Sequence, residues 1–216
     1  LSIEENISEI KKTLPENITL IAVSKTKSVE FINEAYNTGI RNFGENKVQE
    51  LIDKIDKLPN DISWHFIGHL QTNKVKYLVG KVSLIHSLDS VKLLNEIEKQ
   101  YKKNNLTANV LIEINIGKED SKSGIFAERL DELISACEIC EHVKVKGLMA
   151  IIPKGQENVC RKYFGQMKSV WDTLKSKSFK NISMEYLSMG MTEDYELAIE
   201  EGSNMVRIGT GIFGLR

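Results

Sequence analysis

The chain has 216 residues, 41% apolar and 27% charged, a balance that excludes intrinsic disorder and predicts one globular domain over residues 1–216. Lys and Arg total 29 against 30 Asp and Glu, a net charge of −1, which leaves no basic excess for sequence-independent nucleic-acid binding. Apolar runs such as Gly147–Ile152 are too short to cross a bilayer, so no membrane association is expected. The N-terminus shows no basic n-region or apolar h-region, and 3 cysteines are too few for a disulfide framework. A reduced, cytoplasmic protein is expected.

Short β-branched runs alternate with segments whose apolar residues fall at helical spacing. An N-terminal helix carries Ile3, Ile7, Ile10 and Leu14 on one face. Strand–helix pairs then follow: Ile18–Lys25 with Ser28–Thr38, Asn42–Asn46 with Val48–Leu58, and Ser63–His69 with Asn73–Val79. Next come Val82–Leu88 with Val91–Lys103, Ala108–Ile116 with Phe126–Glu141, and Val143–Ile151 with Val159–Lys175. Ile182–Met189 pairs with Asp194–Glu201, and Met205–Phe213 is the last predicted strand. The Lys/Glu runs at 49–57 and 96–103 read as solvated helix faces. Strict β-then-α alternation requires crossovers, and crossovers make the strands parallel. Eight units in roughly 200 residues predict a single (β/α)8 TIM-type α/β barrel with an extra N-terminal helix. No Gly-x-Gly-x-x-Gly turn follows the first strand, which disfavours an open dinucleotide-binding sheet.

In such a barrel the chemistry sits at the C-terminal strand ends. Those ends are Lys25, Asn46, His69, Ser87, Asn115, Met149, Ser188 with Gly190, and Arg207 with Gly209 and Thr210. A lysine closing a buried strand either snorkels to the rim or serves as an amine nucleophile toward a carbonyl. At the other end of the chain, Arg207–Gly214 runs a strand into a Gly-rich turn, whose backbone N–H groups suit an anion. Ser188 closes the neighbouring strand with a hydroxyl donor. Together these point to a phosphorylated carbonyl ligand.

Five segments carry a resemblance. They are Ala-Val-Ser-Lys-Thr (22–26), Phe-Gly-Glu-Asn-Lys-Val-Gln-Glu (43–50), His-Phe-Ile-Gly-His-Leu-Gln-Thr-Asn-Lys (65–74), Leu-Ser-Met-Gly-Met-Thr (187–192) and Arg-Ile-Gly-Thr-Gly-Ile-Phe-Gly (207–214). In this order they resemble the pyridoxal phosphate homeostasis protein family (YggS/PROSC-like), from about residue 18 to 214. The resemblance implies an alanine-racemase-type barrel that holds pyridoxal 5′-phosphate (PLP) on Lys25 as an internal aldimine. It places Ser188, Gly209 and Thr210 at the phosphate, Arg207 at the pyridine nitrogen and Asn46 near the cofactor. It implies binding, buffering or delivery of PLP, with PLP-dependent apo-enzymes as transient partners and a monomeric state. Thr192 and Gly211 depart from the family's usual Ser and Ala.

His65 and His69 are four apart on a predicted strand without acidic or thiol companions, so no metal is expected. His65 reads as structural and His69 as a mouth residue, while Met149 reads as core with its thioether able to meet an aromatic ring. Cys137-x-x-Cys140 lies inside a predicted helix and reads as buried thiols rather than a redox pair. The alternative function is a PLP-dependent racemase or decarboxylase. An arginine at the pyridine nitrogen leaves the ring neutral, a poorer electron sink. The chain ends at Arg216, shortly after the last predicted strand, so no second β domain and no catalytic residue are expected.

Overall fold

The computed structural model describes residues 1–215; Arg216, the last residue of the expected domain, lies outside the described residues. Helix α1 (Ile3–Thr13) opens with a capping box, in which Ser2 Oγ accepts from the Glu5 amide and the Glu5 carboxylate accepts from the Ser2 amide. Its Ile3, Ile7 and Ile10 stripe is buried, as the spacing predicts. The chain then winds through β1 (Thr19–Val23), α2 (Val29–Asn37), β2 (Asn42–Glu45), α3 (Val48–Ile55), β3 (Ser63–Phe66), β4 (Leu84–Leu88) and α4 (Val91–Lys103). It continues with β5 (Ala108–Glu113), α5 (Leu130–Glu138), β6 (Val143–Met149), α6 (Glu157–Lys175), β7 (Ile182–Ser188), α7 (Tyr195–Glu200), β8 (Met205–Ile208) and α8 (Thr210–Phe213). The eight strands form a closed parallel barrel in chain order, β8 pairing back onto β1 with Ile21 opposite Arg207 and Ala22 opposite Ile208. Most of the core lies between helices and barrel. A smaller cluster of Ile21, Leu84, Leu111, Met149 and Met205 fills the barrel interior, where Met149 is fully buried.

The predicted strands ending at Lys25, His69, Ile116 and Ile151 stop two or three residues earlier, and three further elements differ in type. The segment after β3 is a 3₁₀ helix, Thr72–Tyr77, because Val75 and Leu78 bury at a spacing of three and the Leu78 amide donates to the Val75 carbonyl. The segment predicted as one helix at Phe126–Glu141 starts as a 3₁₀ turn, Ala127–Arg129, before α5. The strand predicted to run to Phe213 stops at Ile208. Gly209 breaks the ladder, and its carbonyl accepts from both Ile212 and Phe213, which turns the chain into α8. Apolar residues at 208, 212 and 213 satisfy either period, so the pattern alone does not separate strand from helix.

The register slips on both sides of Gly147, against β5 and against β7. Gly147 has φ of +148°, and a Cβ there would lie 1.8 Å from the Tyr186 carbonyl oxygen. Gly147→Ala should therefore lower the unfolding free energy by about 3 kcal/mol in urea melts, through backbone strain and displacement of β7. Gly165 of α6 meets nothing closer than 3.7 Å, so Gly165→Ala should raise stability by about 0.5 kcal/mol. Equal effects of the two substitutions would show that the bulge does not require glycine.

Candidate functional site

A cavity of about 390 Å³ opens at the C-terminal ends of the strands. Its walls are Val23, Ile67, Ile151, Ile152, Pro153 and Met191, and its polar groups come from Lys25, Asn46, Thr192, Asp194, Arg207, Gly209 and Thr210. Lys25 stands two residues beyond β1, in the turn closed by the Lys27 amide on the Ser24 carbonyl. Gly209 lies across from it, in van der Waals reach of β1, where an added Cβ would sit 3.4 Å from Val23. Thr210 Oγ1 donates to Thr192 Oγ1 at 3.1 Å, and the Gly211 amide donates to the same oxygen at 3.2 Å. Two hydroxyls and a Gly-rich turn thus converge at the mouth between β7 and β8, an arrangement able to donate to an anion. Asn46 follows β2, and its Oδ1 is buried without a hydrogen-bond partner among the described residues. Such an oxygen is costly unless a donor reaches it. Gly68 keeps the turn after β3 pressed onto it, since a Cβ there would lie 2.2 Å from the Asn46 carbonyl.

Arg207 reaches the cavity floor from β8. Its guanidinium donates to Ser188 Oγ at 2.7 Å and to the Ala150 carbonyl at 3.0 Å. Burial pulls it down to about 10, against the fields of Glu113 and Asp194, so it stays charged at neutral pH. Ser188 is fully buried beneath the cavity, with its hydroxyl held between Arg207 and His86. The structure thus gathers Lys25, Asn46, Arg207, Gly209 and Thr210 around one cavity and leaves Ser188 one layer below. His69 is exposed on the mouth side, near Ser123 and Asp89 and off the cavity wall.

The chain matches the family described as alanine racemase, N-terminal domain, over residues 2–216. It is 49% identical over 200 residues to the pyridoxal phosphate homeostasis protein of Aquifex aeolicus, covering 91% of this chain and 86% of the relative. The chain belongs to the pyridoxal phosphate homeostasis protein family. The structure of PipY from Synechococcus elongatus with PLP bound superposes with a TM-score of 0.90 at 32% identity, covering 99% of this chain and 100% of PipY. Alanine racemase of Clostridium difficile shares the fold at a TM-score of 0.83 and 17% identity, and the match spans 57% of that enzyme.

A Cβ at Gly211 would lie 3.0 Å from Ile208 Cγ2 and 3.1 Å from Thr192 Cγ2, so the turn packs closely around this glycine. Thr192 itself was visible in the sequence only as a departure, because it lies in the loop beyond β7. Lys54 corrects the reading of residues 49–57 as a solvated face. It is 7% exposed, and its ammonium turns inward from α3 to Glu45, Glu50 and the Ser24 carbonyl. Cys137 and Cys140 are buried, and burial pushes the Cys137 thiol up to about 12, far from a reactive thiolate.

His86, in the middle of β4, escaped the sequence reading as a lone histidine in an apolar strand. It joins a buried chain: Arg207 to Ser188 Oγ, Ser188 to His86 Nδ1 at 3.0 Å, His86 Nε2 to His65 Nδ1 at 2.9 Å, and His65 Nε2 to Asn42 Oδ1 at 3.2 Å. Arginine can only donate and an amide oxygen can only accept, so the proton order is fixed from end to end. Ser188 accepts from Arg207 and gives its proton to His86 Nδ1, and both histidines are neutral with the proton on Nε2. Burial takes His65 down to about 4 and His86 well below its ordinary value, the latter helped by His65 and Arg207.

The sign of the pH dependence follows. Between pH 6.5 and about 4 the unfolded chain protonates His65 and the folded chain does not, so this stability is full above pH 6.5 and is lost as pH falls. Glu113, pushed up to about 7 chiefly by burial, acts in the opposite direction between 4.5 and 7. The stability difference between the unaltered protein and His65→Gln isolates the histidine. It should shrink by about 2 kcal/mol from pH 7 to pH 5 in urea melts. A difference independent of pH would show that His65 is not buried neutral.

Proposed function

We propose that this barrel is a single PLP-binding domain that carries, buffers or regulates the cofactor and so bears on vitamin B6 and amino-acid balance. The feature that carries this most directly is the opposition of Lys25 and the Gly209–Thr210 turn across one cavity. Bound there, the cofactor supplies an aldehyde able to condense with an amine and a ring able to withdraw electrons. Lys25 would provide the amine. Thr210, Thr192 and the Gly209 turn would hold the phosphate, and Arg207 would face the ring nitrogen. Ser188 would act through Arg207 rather than on the phosphate. The orphan Oδ1 of Asn46 suits a donor on the ring or its linkage, and the apolar walls suit the ring faces.

A carrier without turnover is favoured over a racemase on chemical grounds. Racemisation needs two acid/base groups on opposite faces of the reacting carbon. At the rim, Lys154 and Glu193 are 89% and 82% exposed and face each other at 3.8 Å. Asp194 accepts from the Met191 amide at 2.7 Å and so braces the loop after β7. Arg207, always charged, would keep the ring nitrogen unprotonated and the ring a weaker electron sink, which disfavours transaminase-type chemistry but does not by itself separate a carrier from a racemase. The curated relative from Aquifex aeolicus is named for homeostasis, and the chain spans the whole of PipY. The protein would work as a monomer in the cytoplasm, meeting PLP-dependent apo-enzymes transiently.

Pure protein mixed with PLP should turn yellow and bleach on borohydride. Pyridoxal, which lacks the phosphate, should bind about 100-fold more weakly or worse, since charge-assisted hydrogen bonds are lost. An amino-acid panel in D₂O should show no sustained α-proton exchange by NMR. Equal affinity for the two vitamers would refute the phosphate cradle. Inversion at about 1 s⁻¹ or faster would make the protein an enzyme.

A further inference from the structure

Thr26, the residue after Lys25, has φ of +65°, a left-handed backbone in a β-branched residue. It is the third residue of the turn Ser24–Lys27, the position where a positive φ ordinarily calls for glycine or asparagine. Such strain costs about 1–3 kcal/mol and persists only where the surroundings over-determine it. Here the surroundings are a buried ion cluster. The Lys54 ammonium spends its three protons on Glu50 Oε1 at 2.6 Å, Glu45 Oε1 at 2.8 Å and the Ser24 carbonyl at 2.9 Å. Glu50 Oε1 also accepts from the strained Thr26 amide at 2.5 Å, and Glu45 Oε1 accepts from Ser24 Oγ at 2.6 Å. The backbone is therefore gripped on both sides of Lys25, at the carbonyl before it and at the amide after it.

Glu45 is fully buried and leaves its Oε2 without a hydrogen-bond partner among the described residues, and burial raises this carboxyl above the ordinary range despite Lys54 and Ser24. Apolar residues of similar volume would serve stability as well or better than such a cluster. Its geometry converges on the turn that carries Lys25.

We infer that Glu45, Lys54 and Glu50 form a positioning clamp that holds the Ser24–Lys27 turn so that the Lys25 amine meets the ligand's aldehyde. This rests on Lys25 being the covalent anchor proposed above. In that step the ammonium first gives one proton to solvent. The amine lone pair then forms the C–N bond, and the aldehyde oxygen leaves as water with the two remaining amine protons; no electrons are exchanged. The clamp acts through the backbone on either side of Lys25, at the Ser24 carbonyl and the Thr26 amide.

The test compares PLP with pyridoxine 5′-phosphate, which carries an alcohol in place of the aldehyde and can only bind non-covalently. Lys54→Met and Glu50→Ala should keep affinity for pyridoxine 5′-phosphate within about threefold. They should slow formation of the borohydride-trapped link at Lys25 about tenfold or more, as misplacement of a reacting group does. Adding Thr26→Gly to Glu50→Ala should restore much of the rate, because glycine takes the positive φ without strain. In the ligand-free protein, the Thr26 amide should lose hydrogen-exchange protection in both single variants. Should Lys54→Met fail to fold because it strands two carboxylates, Glu50→Ala, at a partly exposed position, gives the same readouts. Trapping on a lysine other than Lys25 in the unaltered protein would overturn the anchor and the clamp with it. Trapping on Lys25 at an unchanged rate in the variants, or equal loss of both ligands, would overturn the clamp alone.

Discussion

The site exists because β8 pairs with β1. Lys25 and Thr210 lie at opposite ends of the chain, and neither motif means much beside its own sequence neighbours. The ladder from Thr19–Met205 to Ala22–Ile208 sets them face to face. Closure has a second consequence. The strand ends face one mouth, so Lys25, Asn46, Arg207, Gly209 and Thr210, far apart in sequence, line a single cavity.

Two buried polar systems support the site from different sides. Under the Arg207 side, the chain through Ser188, His86 and His65 to Asn42 supplies the acceptors a buried guanidinium needs, with no group left to choose its direction. Under the Lys25 side, the ion cluster around Lys54 fixes a strained turn. Both systems sit where aliphatic packing would be simpler. Each reaches a residue that lines the cavity mouth, Arg207 in one case and the Lys25 turn in the other. Glu113, close enough to Asp89 and Arg207 to feel both charges, makes the barrel interior sensitive to protonation near neutral pH.

Periodicity made the barrel legible, since seven strand–helix alternations admit few other architectures. Where the reading ran long or chose the wrong helix type, at Thr72–Tyr77 and at Thr210–Phe213, short apolar spacings fit two periods and packing chose between them. Lys25, Asn46, Arg207, Gly209 and Thr210 lie at or within two residues of strand ends, which the alternation of strand and helix marks. Ser188 terminates a strand too, yet depth along the barrel axis is not written in the sequence, so its place below the cavity was not legible. Thr192 lies past a strand end, and Lys54 looks like any lysine on a charged helix. Its inward turn depends on two carboxylates, one of them from another element.

The most direct measurement is a crystal structure of the protein soaked with PLP. The account predicts density continuous from Lys25 Nζ to the cofactor, the phosphate against Gly209, Thr210 and Thr192, and the ring nitrogen toward Arg207. Ser188 should stay on Arg207 and His86 without touching the phosphate. A cofactor joined to another lysine, or a phosphate seated away from the turn between β8 and α8, would contradict it.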